Sequence, residues 1–257
     1  MTYADLALAR RLELNEARNA AELSRVYGEE TPRIGGGEVA FGGPGSPLSH
    51  AVGVAMQGPV TAGELDELED FSRSRGTLIN VDLCPLADPS LAELLGKRCY
   101  RIAEFNNVLV RAVQPVPEGA DARIRRAGAA DRDAWARTTM HGFLERDEVL
   151  QPEMDLAATL YGMPSGVPWL AEIDGEPVAA AGMSVRDGLA MLFGDATRPG
   201  HRNRGLHTSL IVARMQYAAE RECDLITAST LPGSASQRNY ERLGFRIAYT
   251  KMIMLRE

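Results

Sequence analysis

The chain has 257 residues, 45% of them hydrophobic and 25% charged, with a formal net charge of −7. That balance excludes disordered and fibrous classes and leaves room for one large domain or two of ordinary size. The acidic surplus runs through both halves, which argues against a general nucleic-acid surface. No run approaches the roughly 18 uncharged apolar residues of a membrane helix, and an amino terminus carrying Asp5, Arg10, Arg11 and Glu13 lacks the apolar stretch of a secretory signal. A cytoplasmic protein with no membrane partner is expected. Cys84, Cys99 and Cys223 have no close pair spacing, so they read as small buried apolar residues; neither disulfides nor a metal site is expected.

In the first half, a helix is predicted to start near Thr61, after Gly58-Pro59-Val60, followed by an apolar run over residues 77–85, a helix over 89–97 and a strand from Tyr100. Residues 113–121, with two prolines and a glycine, read as a linker between domains at 1–112 and 122–257. Beyond it come a short strand at 122–127, a helix at 129–143 with Asp131 as candidate cap, and a second helix at 150–160. The stretches 168–173 and 178–185 form a hairpin around Asp174-Gly175, a strong turn signal. A strand over 189–197 leads into a glycine turn. The next helix carries Leu206, Leu210, Ala213 and Tyr217 on one face. A strand at 224–229, a helix ending at Leu243 and a strand over 245–255 complete a mixed sheet with helices on both faces.

A repeat lies inside this order. At an offset of 145 residues, Tyr100 to Arg111 aligns with Phe245 to Arg256, with four identities in twelve positions and four further apolar or aromatic exchanges. Each copy is preceded by a short helix and, before that, by an apolar run ending in a proline-containing turn.

The chemistry concentrates after residue 197. Arg198, His201, Arg202 and Arg204 place three fixed positive charges within seven residues of an acidic chain. Charge alone favours an ordinary solvated turn. A strand, a turn with Gly205 and an amphipathic helix, however, together present free backbone N–H groups and the positive end of the helix dipole to an anion. Gly205 allows a diphosphate to approach the backbone closely.

Pro199-x-x-Arg202-x-x-Gly205-Leu206 resembles the coenzyme A signature of the GCN5-related N-acetyltransferases. Asn239-Tyr240-Glu241-Arg242-Leu243-Gly244-Phe245 resembles that family's second signature, a tyrosine before a leucine-glycine-phenylalanine turn. Two motifs in order on the expected elements, covering about half the chain, are far more specific than either alone. The resemblance implies an α/β fold of two tandem acyltransferase-like domains, each a mixed, mostly antiparallel sheet flanked by helices, the first a worn copy. It also implies acetyl-CoA as co-substrate and a small-molecule or peptide amine as acceptor, attacked directly in a ternary complex.

On this resemblance, the CoA site comprises Arg202, Asn203, Arg204, Gly205, Leu206, His207 and Thr208 at the turn, with Ser236 on the following helix. Strands 189–197 and 224–229 are expected to part, so that Ala196 and Thr197 bond the pantetheine arm through their backbones. A backbone N–H near Asp195 would polarise the thioester carbonyl. His207 departs from the usual glycine or alanine; its side chain is expected to point aside and donate a hydrogen bond while its amide serves the diphosphate. Tyr240 occupies the family's general-acid position, a phenol of pKa near ~10 facing a thiolate of ~8.5. The family's usual glutamate base aligns with Met191. Asp195, four residues on, is expected on the same strand face, either as base, directly or through water, or as an aspartate fixing the turn with Arg198 or Thr197.

The acceptor lip would include His141, Phe143, Glu145, Asp147 and Glu148; its carboxylates would suit a cationic amine, but on sequence alone a plain solvated surface is the preferred reading. In the first half Leu95 matches Tyr240 and no arginine-rich glycine turn occurs. That half is read as a structural or substrate-shaping domain, lending its last strand to the other sheet. Pairing of the halves within one chain or in a homodimer is left open. The competing reading is a CoA-sensing module without turnover, favoured by Met191 and His207. A nucleotide-binding P-loop is excluded, since Lys97 and Lys251 are the only lysines and neither is near the turn.

Overall fold

The computed structural model describes residues 4–119, 121–146 and 148–256. These fall into two compact units. The first comprises residues 1–108, 230–232 and 247–257, and the second comprises 109–229 and 233–246. The expected linker therefore lies within the second unit, its residue 120 falling outside the described residues. The division also differs from a simple cut of the chain, because most of the final strand belongs to the first unit.

In the first unit, α1 (Leu6–Tyr27) is followed by β1 (Arg33–Ile34), β2 (Gly37–Ala40), β3 (His50–Val52), α2 (Ala62–Ser74), β4 (Ile79–Leu83), α3 (Pro89–Lys97) and the start of β5 (Arg101–Ala112). Thr61 and Glu64 close a capping box on α2, and Asp88 caps α3 by accepting from the Ser90 amide. The strand order is β1-β2-β3-β4-β11-β5, where β11 (Arg246–Arg256) runs antiparallel to β4, pairing Met252 with Leu83 through Arg256 with Ile79. Leu65, Leu68, Val81, Leu91 and Leu95 fill this core. Beside it lies a buried ionic cluster: Lys251 Nζ is 2.8 Å from Asp82 and 2.6 Å from Glu16, His50 Nδ1 is 3.0 Å from Asp82, and Tyr249 donates to Glu13 at 2.7 Å.

In the second unit, the end of β5 leads to β6 (Ile124–Arg126), α4 (Arg132–Leu144), α5 (Gln151–Tyr161), β7 (Gly166–Ile173), β8 (Glu176–Arg186), β9 (Leu189–Thr197), α6 (Leu206–Glu220), β10 (Leu225–Thr230) and α7 (Ala235–Arg242). The strand order is β5-β10-β9-β8-β7-β6. The β7–β8 hairpin turns at Asp174 and Gly175, both at positive φ as the dipeptide predicts. One sheet face packs Ala181, Met183, Ala190 and Leu192 against Leu206, Leu210 and Met215 of α6. The other packs Leu170 and Ala180 against Trp135 and Met140 of α4.

Two local expectations are corrected. Asp131 makes no side-chain cap to the first-turn amides of α4; its carboxylate accepts from the Gly128 amide at 2.7 Å and pairs with Arg125, which draws it away. Cys84 and Cys223 are buried, but Cys99 is exposed, at φ +59° in the turn between α3 and β5. Burial pushes the Cys84 thiol up to about 12, which leaves it inert.

Candidate active site

The site is set by two departures from regular sheet. The parallel β9–β10 ladder runs from Leu189 opposite Leu225 to Leu192 opposite Ala228 and stops there, although both strands continue. The edge of residues 193–197 facing away from β8 is left without a strand partner, so the expected parting is present. On its other side β9 carries a bulge: Gly182 pairs with Phe193 but Ala180 pairs with Ala196, so β9 holds one extra residue across this interval.

The bulge corrects the expectation for Asp195. A regular strand would place it on the face of Met191. The extra residue reverses the alternation, and Asp195 instead faces α6, on the side of Ala190 and Leu192. There Arg214, fully buried, donates from Nη2 to Asp195 Oδ1, from Nη1 to Gly182 O at 2.8 Å and from Nε to Leu210 O at 3.0 Å. Tyr240, 1% exposed, donates its hydroxyl to Asp195 Oδ2. From the α4 side, Trp135 Nε1 donates to Ala181 O at 3.0 Å. Two neighbouring carbonyls of β8 at the bulge are thus held by side chains from opposite faces.

Charge follows from this packing. Burial by itself would raise the Asp195 carboxyl, but Arg214 and then His207 outweigh it and hold the group down at about 2. With both oxygens engaged and so low a pKa, Asp195 is a poor proton acceptor and a good anchor. Burial first, and then the Asp195 charge, raise the Tyr240 phenol well above its ordinary value. Tyr240 is therefore a neutral hydrogen-bond donor oriented by Asp195.

The glycine turn brings the remaining residues together. Asn203 (φ +62°) and Gly205 (φ +77°) both lie in the left-handed region, and Gly205 precedes α6 with open space where a Cβ would be. The Ser209 amide is the first to close onto Gly205 O, at 2.9 Å, so the amides of Leu206, His207 and Thr208 are the unbonded first turn. These residues border a cleft of about 470 Å³ together with Asp195, Ala196, Thr197, Arg202, Asn203, Arg204, Gly205 and Ser236. Every residue proposed for the cofactor thus lies on one cleft, and Tyr240 stands behind its wall. The His207 ring sits edge-on to Tyr240 with centroids 5.7 Å apart, its Nε2 3.5 Å from Asp195 Oδ2. Its Nδ1 lies 2.8 Å from the Asn239 side-chain amide, which Arg242 also contacts at 3.0 Å.

Of the expected lip, Asp147 lies outside the described residues. His141 is buried, Phe143 is exposed, and Glu145 is bonded to Arg202 at 2.8 Å. Sequence reasoning missed Gly142, Asn239, Trp135 and Arg214. Asn239 was inside the second motif, and Arg214, four residues after Leu210, sits on the apolar face of α6. Among the described residues no group of three or more His, Cys, Asp or Glu could hold a metal ion, and no helix is long and apolar enough to cross a membrane.

A parallel strand pair that splays over a glycine turn at a helix start, in a mixed sheet with helices on both faces, defines the class of acyl-CoA N-acyltransferase folds. Residues 133–245 match the model of the acetyltransferase (GNAT) family and form a GNAT domain. No curated protein matches the sequence. Among solved structures, a GCN5-related N-acetyltransferase from Kribbella flavida is 22% identical, with 93% of this chain and 94% of that one covered at a TM-score of 0.64. A tandem GNAT protein from the clavulanic acid biosynthesis pathway is 12% identical, with 99% and 96% covered at 0.60. A GCN5-related N-acetyltransferase from Sphaerobacter thermophilus is 14% identical, with 76% and 65% covered at 0.56. At these identities the likeness is one of fold, and the tandem architecture extends over the whole chain.

Proposed function

We propose that the protein is an acyl-CoA-dependent N-acyltransferase that passes an acetyl or related acyl group to a primary amine in a ternary complex. One observation carries this reading: residues 195–197 of the unpaired β9 edge and the open amides of residues 206–208 line the same cleft. The turn suits a diphosphate, through first-turn amides, the helix dipole and the charge of Arg204. The open strand edge suits the pantetheine amides, as an added strand. Amides at the bulge, held in place by Trp135 and Arg214 on the neighbouring carbonyls, suit the developing oxyanion. Tyr240 stands behind this end with its hydroxyl committed to Asp195, so it steadies the bulge and does not supply the proton that family resemblance suggests. As the C–N bond forms and the C–S bond breaks, the acceptor amine passes its proton, directly or through water, to the departing thiolate rather than to Asp195.

A second reading, a CoA-binding module without turnover, draws on Met191 and on the low pKa of Asp195. Calorimetry with acetyl-CoA on wild type and Gly205→Trp, followed by a mixed amine library with a thiol reporter, separates the two. The expected result is micromolar binding lost in the variant and thiol release that requires an amine. Binding without release selects the sensing module, and no binding to wild type overturns both.

A further inference from the structure

The proposed diphosphate turn is not free in this structure. The Arg202 guanidinium, in the middle of the turn, donates from Nη1 to Glu145 Oε1 at 2.8 Å, from Nη2 to Gly142 O at 3.0 Å and from Nε to Thr197 O at 3.3 Å. Two of these acceptors belong to the end of α4, where the expected acceptor lip begins. Glu145 is the C-cap of α4 and holds φ +55°, ψ +30° without being glycine or asparagine. That conformation is uncommon for a long side chain and persists where the surroundings fix it. The Glu145 amide closes the helix on His141 O at 3.2 Å, and Arg202 clasps the same turn through the Glu145 carboxylate and Gly142 O. The pair is also weak: the Arg202 and Glu145 side chains are 41% and 62% exposed, and ion pairs so open to water contribute little. A diphosphate at the amides of residues 206–208 would put more negative charge beside Arg202 than one carboxylate does.

Resting on the CoA-binding reading above, we infer that Arg202 and Glu145 form a latch. Diphosphate binding draws the Arg202 guanidinium off Glu145, which releases the end of α4 and leaves the Glu145 carboxylate at the acceptor lip without a partner, available to a cationic amine. The cofactor thereby prepares the acceptor side, and the substrate class is an amine that arrives protonated.

CoA alone is the probe. Calorimetry on wild type, Glu145→Gln, Arg202→Gln and the double variant reads the exchange directly. Glu145→Gln frees Arg202 and tightens CoA binding by roughly two- to fivefold, the fold-change that corresponds to an exposed ion pair; Arg202→Gln weakens it, and adding Glu145→Gln to Arg202→Gln changes nothing further. Hydrogen exchange gives a second readout: CoA speeds exchange of the Glu145 amide in wild type, and in Arg202→Gln that amide exchanges fast without ligand. A Glu145→Gln effect of the same size in the Arg202→Gln background would reduce the role of Glu145 to bulk charge and overturn the latch, as would unchanged or weaker binding by Glu145→Gln, or CoA slowing exchange at Glu145. Failure of wild type to bind CoA at all would instead sink the functional reading on which the latch rests.

Discussion

Replacing Arg214 with methionine tests the electrostatic account of the site. The side chain is fully buried and makes three hydrogen bonds, to Asp195, Gly182 O and Leu210 O. Methionine restores most of the volume but leaves Asp195 charged in an apolar surround and one bulge carbonyl unbonded. Breaking a buried pair from one side costs about 3–5 kcal/mol, to be read as a fall in the urea midpoint at unchanged m-value. The loss depends on pH. In wild type the Asp195 carboxyl is depressed to about 2 from an ordinary 3.8. Its contribution, about 2 kcal/mol, is present above pH ~4 and is lost as pH falls through ~2. Without Arg214, burial dominates and raises the carboxyl, so the variant is penalised most at neutral pH and recovers part of its deficit as pH falls and Asp195 protonates. Asp195→Asn in the Arg214→Met background recovers part of the loss at pH 7 by removing the stranded charge. A deficit under 1 kcal/mol, or one independent of pH and of Asp195→Asn, would refute the reasoning.

Gly142→Ala places a Cβ 2.7 Å from Ala196 Cβ and 2.8 Å from the Thr197 amide nitrogen, so β9 must shift; a loss of about 1–3 kcal/mol is expected in thermal unfolding, with weaker CoA binding because those residues form the cleft edge. Burial raises the Glu13 carboxyl from 4.5 to about 7, ahead of the opposing pull of Lys251, so its stabilising protonated form is complete below pH ~4.5 and is lost as pH rises through ~7. Glu13→Gln, which still accepts from Tyr249, should therefore unfold at a higher temperature than wild type at pH 8 and at nearly the same temperature at pH 5.

Much of the second unit was legible because its signals are local. Asp174-Gly175 specifies the hairpin turn, Gly205 the entry to α6, and the apolar spacing of Leu206 and Leu210 the face that packs on the sheet. The helix α1 was not legible. Its inward positions include Glu13, Asn15, Asn19 and Glu22, and polar residues on a buried face erase the 3.6-residue hydrophobic period that marks a helix. The three short strands β1 to β3 lie among glycines and prolines and carry too few residues to show alternation. The assignment of β11 to the first unit was not legible either. Strand pairing is non-local, and nothing in residues 246–256 names Leu83 and Val81 as the neighbours of Met252 and Met254.

The error over Asp195 is of another kind, because the sequence held two clues to it. Gly194 stands in the middle of an apolar strand, a position that signals a bulge, and a bulge cancels the alternation on which the placement beside Met191 depended. Arg214 lies four residues beyond Leu210 and eight beyond Leu206, so it must point at the sheet with them. An arginine on that face needs a carboxylate within reach, and Asp195 is the one acid in β9. The two clues require each other: only a bulged β9 turns Asp195 toward α6, and only an aspartate turned toward α6 satisfies Arg214. Tyr240 then completes the set, since a buried phenol beside an ionised carboxylate donates to it. What looked like a missing base at Met191 and a displaced acid at Asp195 is instead a charge-neutral anchor that fixes the bulge and the tyrosine together.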